Sequence, residues 1–158
     1  MSIGADPVEE LIIAGIASDM TPNALHRLAA IARIESIPTG VVMLREGQST
    51  TDLGVVLEGR IALRTRVPGR PDLTLMTLDR GDVFGWSAAL GEPSTSSVVT
   101  LGPTRVVLLD QDGLVEMLAS DAEFAAVLFR HLLQTVARRL VATRLQLLDL
   151  YRAADVGS

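Results

Sequence analysis

Fourteen arginines supply all the strongly basic side chains in this chain of 158 residues; lysine and cysteine are absent, and His26 and His131 are the only imidazoles. That inventory removes Schiff-base lysine chemistry, thiol nucleophiles, disulfides and cysteine-ligated metals. Two histidines far apart in sequence cannot build a multi-histidine metal site. Carboxylates are plentiful, but no His, Cys or Lys constellation accompanies them, so the chain is read as a non-enzyme. The chemistry that remains is binding. Gly81-Asp82-Val83-Phe84-Gly85-Trp86-Ser87-Ala88 reads as a glycine-bounded loop opening a short helix. The first amides of such a helix attract an anion, and Gly85 permits close backbone approach, so Gly85, Trp86, Ser87 and Ala88 form a candidate cradle. Ser94, Thr95 and Ser96, followed by Ser97, are uncharged hydroxyl donors for an anion or polar ligand. They are equally the residues of an ordinary turn and strand start. Trp86, the sole tryptophan, either stacks on a ligand or fills the space one would occupy.

These residues need a frame, and the periodicity supplies two helical zones around a strand-rich one. Pro7 to about Ala17 has helical spacing. Thr21-Pro22 places a capping hydroxyl before a proline at the first helical position. Leu25, Leu28, Ala29, Ala32 and Arg33 continue that second helix until Pro38-Thr39-Gly40 break it. Short runs rich in Val, Leu, Ile and Thr follow at 41–45, 53–57, 60–67, 73–78, 97–101 and 105–110. Glu58-Gly59, Pro68-Gly69-Arg70-Pro71 and Gly102-Pro103 between them predict hairpins. The expected fold is α+β, mainly β: an antiparallel jelly-roll β-barrel over 40–110, flanked by N-terminal helices over 7–35 and C-terminal helices over 112–152, in one domain spanning 1–158.

A short helix from Gly113 to Leu118 precedes a start signal at Ser120-Asp121 and an apolar-periodic run to about Arg152. A helix of about 30 residues is ~45 Å long, more than a barrel of this size needs as a cover. Phe129, Leu133, Val136, Leu140, Leu147 and Tyr151 follow steps close to a coiled-coil seam, interrupted by Arg144, which predicts a homodimer through this C-terminal helix. The other reading is a helix packed only on its own barrel. Fourteen basic against nineteen acidic side chains give 14 − 19 = −5, the wrong sign for a phosphate backbone, and Arg138-Arg139 is too small a patch to act as a footprint. Direct DNA binding is not expected. No apolar run reaches the ~18 residues of a membrane span, although the mean hydropathy is +0.36. Met1 to Glu10 carries acids where a secretory signal is basic, so a cytoplasmic protein is expected, and a cysteine-free chain fits a reducing compartment.

Arg45-Glu46-Gly47, Val55-Val56-Leu57-Glu58-Gly59-Arg60-Ile61, Gly81-Asp82-Val83-Phe84-Gly85, Pro103-Thr104-Arg105-Val106-Val107 and Ala137-Arg138-Arg139-Leu140 occur in an order and spacing that is specific as a set. In these pieces the chain resembles the cyclic nucleotide-binding domain, the sensor shared by Crp/Fnr-type catabolite activators and protein kinase A regulatory subunits. The resemblance covers most of residues 20–152. It implies a phosphate-binding cassette over 81–96, and a cyclic nucleotide, cAMP or cGMP, as ligand; no cofactor is otherwise implied. In that family a Glu directly after the cassette glycine takes the ribose 2′-hydroxyl and a later Arg pairs with the cyclic phosphate. Here Trp86 and Ser94 stand in those places, and a charge-assisted bond of about 1.5–3 kcal/mol is lost.

In activators of the family a Thr after the Ala-Arg-Arg-Leu segment contacts the base. The same register puts Thr143 there, with Arg144 next, and makes Arg139 and Arg144 candidates for the missing cation. Solvated or acid-paired arginines on a helix surface are the plainer reading. DNA-reading relatives carry a helix-turn-helix after the dimer helix, whereas only Ala153 to Ser158 follow Arg152. The expectation is a stand-alone sensor module of a small ligand, a cyclic nucleotide bound weakly or atypically or another small molecule, acting through an unidentified protein partner. The alternative is a ligand-free dimeric interaction scaffold whose degenerate pocket is filled by Trp86.

Overall fold

Four side chains start the four helices. Asp6 accepts from the Val8 amide at 3.0 Å and opens α1 (Pro7–Ile13), and Thr21 accepts from Ala24 at 3.2 Å and opens α2 (Pro22–Ile31). Asp110 accepts from Gly113 and opens α3 (Gln111–Ser120), and Asp121 accepts from Phe124 and opens α4 (Ala122–Val156). Each cap satisfies an amide that the helix itself leaves unpaired. The computed structural model describes residues 4–157, so the residues Met1 to Ile3 of the acidic N-terminal reading, and Ser158, lie outside the described residues.

Between the helices run eight strands: β1 (Ala32–Ile37), β2 (Val42–Leu44), β3 (Asp52–Glu58), β4 (Ile61–Thr65), β5 (Leu73–Leu78), β6 (Val83–Phe84), β7 (Ser97–Thr100) and β8 (Thr104–Asp110). They form two four-stranded antiparallel sheets, ordered β1-β8-β3-β6 and β2-β7-β4-β5. Two expectations are corrected here. The second helix does not continue through Ala32 and Arg33: it stops at Ile31, and 32–37 pairs residue for residue with β8, from Ala32 opposite Leu109 to Ile37 opposite Thr104. An open edge of β8 is a stronger demand than the helix propensity of a few alanines. Nor do the strands close into one barrel, because no ladder among the described residues joins the two sheets. The turns explain why. Of the three expected hairpins only 66–72 joins paired strands, β4 and β5. Gly59 leads from β3 in one sheet to β4 in the other, and 101–103 leads from β7 to β8, so both are corners. A Cβ on Gly59 would stand 2.5 Å from the Pro103 carbonyl, which shows how closely the two corners stack.

The first sheet is buried on both faces. Val56, Val106 and Leu108 point into the sandwich against Ile61, Leu78 and Val98 of the second sheet. Leu53, Val55, Leu57, Val107 and Leu109 point the other way, onto Leu11 and Leu28 of the N-terminal helices and Leu114, Phe124, Leu128 and Leu132 of α3 and α4. This explains why β3 reads as an unbroken apolar run instead of an alternation. In α4 the buried positions Phe124, Leu128, Leu132 and Thr135 end well before the helix does. Its 35 residues extend to Val156, past the expected end at Arg152, for about 52 Å at 1.5 Å per residue. From Leu140 onward every described residue of α4 is exposed.

Candidate functional site

The cassette is seated on β3 by two small-residue contacts. Phe84 lies opposite Gly54, and a Cβ at Gly54 would be 2.1 Å from the Phe84 ring, so the ring fills the space that glycine leaves. Gly85 follows with φ 70, and its own Cβ would stand 2.5 Å from the Asp52 carbonyl. Only glycine combines that left-handed turn with that approach. The expected short helix is a 3-10 turn of five residues, Trp86–Leu90, ended by a second left-handed glycine, Gly91. Ala88, expected in the cradle, is instead fully buried in the core and its amide donates to the Gly85 carbonyl at 3.0 Å.

The segment after the turn is fixed by its neighbours. The Gly47 amide donates to the Ser94 carbonyl at 2.8 Å, and the Ser94 amide donates to the Gln48 carbonyl at 2.9 Å. The buried Ser94 hydroxyl, expected to serve a ligand, donates to the Ser96 carbonyl at 2.7 Å. Glu46 ties the same corner together: its amide donates to the Ser97 hydroxyl, and its carboxylate accepts from the Thr65 hydroxyl and the Arg66 amide. Those two donors hold the Glu46 carboxyl below the usual carboxylate range, the backbone amide contributing most.

Two spaces meet over this cassette. A cavity of about 20 Å³ is lined by Gly85, Trp86, Ser87, Ser94, Thr95, Ser96 and Arg139, with Leu63 and Val98 behind them. It has room for about one water molecule. Beside it lies a chamber of about 260 Å³ between the cassette, β4, β5 and α4, lined by Leu63, Leu75, Met76, Trp86, Thr95, Ser96, Val136, Arg139, Leu140 and Thr143. Trp86, half-buried and packed against the core, lines both spaces, as do Leu63, Thr95, Ser96 and Arg139. Among the described residues Arg139 is the only cation lining either space. It donates to the Val83 carbonyl, in the strand β6 at the start of the cassette. Burial pushes its guanidinium below the ordinary arginine range, with the Asp82 charge opposing that shift and Arg138 adding to it. No ion pair among the described residues includes it.

The structure therefore brings together Gly85, Trp86, Ser87, Ser94, Thr95, Ser96, Arg139 and Thr143 from the expected set. Arg144 is exposed on α4 and lines neither space, being one helical step round from Thr143. Leu75 and Met76 on the edge strand β5, the Val83 carbonyl and Gln146, which donates to the Leu75 carbonyl at 3.2 Å, were not foreseen. A wider cavity of about 330 Å³ lies elsewhere, lined by Ser36, Ile37, Pro38, Glu58, Pro103, Thr104 and Arg105. Its cation, Arg105, is already paired with Glu10 and Glu58, both at 2.9 Å. Among the described residues no group of three or more His, Asp or Glu is placed to hold a metal ion, and no helix is long and apolar enough to cross a membrane.

A family model for the cyclic nucleotide-binding domain matches residues 34–121, which include seven of the eight strands entire, the cassette and α3. The chain belongs to the cyclic nucleotide-binding domain family. It is 29% identical over 143 residues to a CRP-like cAMP-activated global transcriptional regulator of Mycobacterium tuberculosis, covering 90% of this chain and 62% of the regulator. The chain thus spans somewhat less than two thirds of that relative's length. Among solved structures it is similar to a cyclic nucleotide-binding domain from Methylobacillus flagellatus KT, with a TM-score of 0.78 and 23% identity over 92% of this chain and 85% of that one. A protein from Geobacter metallireducens GS-15 matches with a TM-score of 0.74 and 26% identity, over 86% of this chain and 98% of the other. Family membership accounts for the sandwich, the cassette and the long final helix. Trp86 and Ser94 lie within the matched residues, at the border of the smaller cavity.

Proposed function

We propose that the chain is a cytoplasmic regulatory module that senses a small ligand between the cassette and α4 and reports it through α4, as a homodimer acting on a partner protein. The observation that carries this reading is Arg139. A cation missing from the cassette loop is supplied from α4, and the residues beside it, Val136 and Leu140, lie on the helix's exposed apolar seam. Phe129, Leu133, Val136, Leu140, Thr143, Leu147 and Leu150 alternate in steps of four and three, the repeat of a coiled-coil seam, and all are exposed. Leu133 is 69% exposed and Leu140 65%. A second copy covering that seam supports both dimerisation and coupling to the ligand.

A cyclic nucleotide is the ligand class that the family suggests, and the M. tuberculosis relative is a cAMP-activated regulator. A sugar and phosphate do not fit in a cavity of about 20 Å³. Cyclic nucleotides are accordingly expected to bind weakly, in an altered pose, with phosphate on Arg139 and the base in the larger chamber. The same small cavity favours a second reading, a ligand-free scaffold in which Trp86 has replaced the ligand. Trp86 fluorescence during titration with cAMP and cGMP, with calorimetry to exclude optical artefacts, separates the two. Saturable binding supports the sensor; no change in either assay up to millimolar nucleotide leaves the nucleotide version untenable.

A further inference from the structure

Resting on the reading of this site as a ligand chamber, we infer that it selects a compact organic monocarboxylate, with a bicyclic or similarly sized apolar body in the chamber and its carboxylate on Arg139. Six of the ten lining residues are apolar, so most of the wall offers a ligand no hydrogen bond. Among the described residues, the hydroxyls of Thr95, Ser96 and Thr143 and the indole N–H of Trp86 are the only uncharged polar groups there, and no carboxylate lines the chamber to accept sugar hydroxyls. A body without hydroxyls therefore leaves fewer groups unpaired than a nucleoside does. Size is a looser guide: the space of about 260 Å³, open to solvent along α4, has room for a body of roughly one to two rings.

The charge is set by Arg139. It is partly buried, stands in no ion pair among the described residues, and donates to a neutral acceptor, the Val83 carbonyl. One desolvated cation is balanced by one negative charge, whereas a dianion would leave a second charge uncompensated with Asp82 already nearby. The planar guanidinium matches a carboxylate through two parallel N–H···O bonds. Trp86 at the chamber wall adds an aromatic face on which a planar body can lie.

The test is calorimetry, backed by ligand-observed NMR for weak binding, of the whole chain with 2-naphthoate, its neutral isostere 2-naphthamide, and cAMP. A charge-assisted bond predicts that 2-naphthoate binds about ten- to a hundredfold more tightly than the amide. Arg139→Gln should remove that advantage, bringing acid and amide to comparable affinity, while Arg139→Lys keeps part of it, having the charge without the fork. Should Arg139→Gln fail to fold, Thr143→Glu provides the same reading from an exposed position: a carboxylate at the chamber border should weaken 2-naphthoate more than the amide. Equal affinities for acid and amide, or insensitivity to both substitutions, overturns the inference. Arg139-dependent cAMP binding without 2-naphthoate binding overturns it while the sensor reading stands. Binding of none of the three ligands overturns both and leaves the scaffold.

Discussion

Gly85→Ala measures how tightly the cassette is fixed to the sheet beneath it. Gly85 has φ 70, and an added Cβ would lie 2.5 Å from the Asp52 carbonyl oxygen. That carbonyl cannot withdraw easily, because Asp52 pairs with Asp110 in the adjacent strand and its carboxylate is held by Arg33 at 2.8 and 3.1 Å. A left-handed non-glycine residue costs about 1–2 kcal/mol, and forcing an atom into packed surroundings adds typically about 1–3 kcal/mol. Together they predict a loss near 3 kcal/mol, roughly 6–12 °C in melting temperature for a domain of this size. Gly69→Ala is the control. Its φ is 72, but nothing lies within 4 Å of the Cβ it would gain, so it should lose only the conformational part. Thermal unfolding followed by circular dichroism gives both values. Equal losses for the two substitutions would refute the argument that contact with β3 positions the cassette.

Replacing Leu133 and Leu147 together by Asp should shift the mass measured by light scattering from twice 16.8 kDa to 16.8 kDa with the far-UV spectrum retained; a wild-type protein already at the lower mass contradicts the seam. Thr100→Val should cost about 2 kcal/mol in thermal unfolding, because the buried Thr100 hydroxyl donates to the Pro38 carbonyl at 2.6 Å and accepts from the Val41 amide at 2.9 Å. A loss below about half a kilocalorie would show that water replaces both bonds. Glu46 gives a pH signature. Its folded carboxyl sits below the unfolded value, so its contribution is complete above the ordinary carboxylate range and disappears as pH falls through the lowered folded value. Glu46→Gln should therefore lower the melting temperature at neutral pH and flatten the acid limb; parallel melting curves across that range would contradict the latch.

Local chemistry is legible in the sequence, and partnership is not. Thr21 and Asp121 announce their helices because a cap acts within three residues. The strand β1 reads as helix because Ala29, Ala32 and Arg33 favour one locally, whereas the deciding partner, β8, begins at Thr104. Glycines 59 and 102 signal a change of direction equally well in a hairpin and in a corner, and only the sheet to which the next strand belongs distinguishes them. In the site, Gly85 and Trp86 stand out by type and position. Leu75 and Met76 do not, since a register shift against β4 skips Leu75 and depends on the pairing of the two strands, and the Val83 carbonyl that holds Arg139 is a backbone atom with no side-chain signature. Ser94 stands out as one of a run of hydroxyls, but its attachment to the Ser96 carbonyl depends on the fold of the loop.

The arrangement on α4 makes one further consequence unavoidable if a second copy covers the seam. Val136 and Leu140 belong to both surfaces, lining the chamber and standing in the apolar repeat. A ligand that repositions them acts on the dimer contact directly, with no relay through the core. Two tethers hold this part of the helix to the domain, Arg139 to Val83 and Gln146 to Leu75, and both lie along the chamber's border. A carboxylate that draws Arg139 away from the carbonyl loosens the first tether and adds contacts of its own, so occupancy changes the balance between a docked and a released helix. The size of that shift is bounded by the difference in the ligand's affinity for the two positions, typically about 1–3 kcal/mol for coupling of this kind. That is about a 5- to 150-fold change in dimer or partner affinity, and by reciprocity dimerisation must tighten or weaken ligand binding by the same factor.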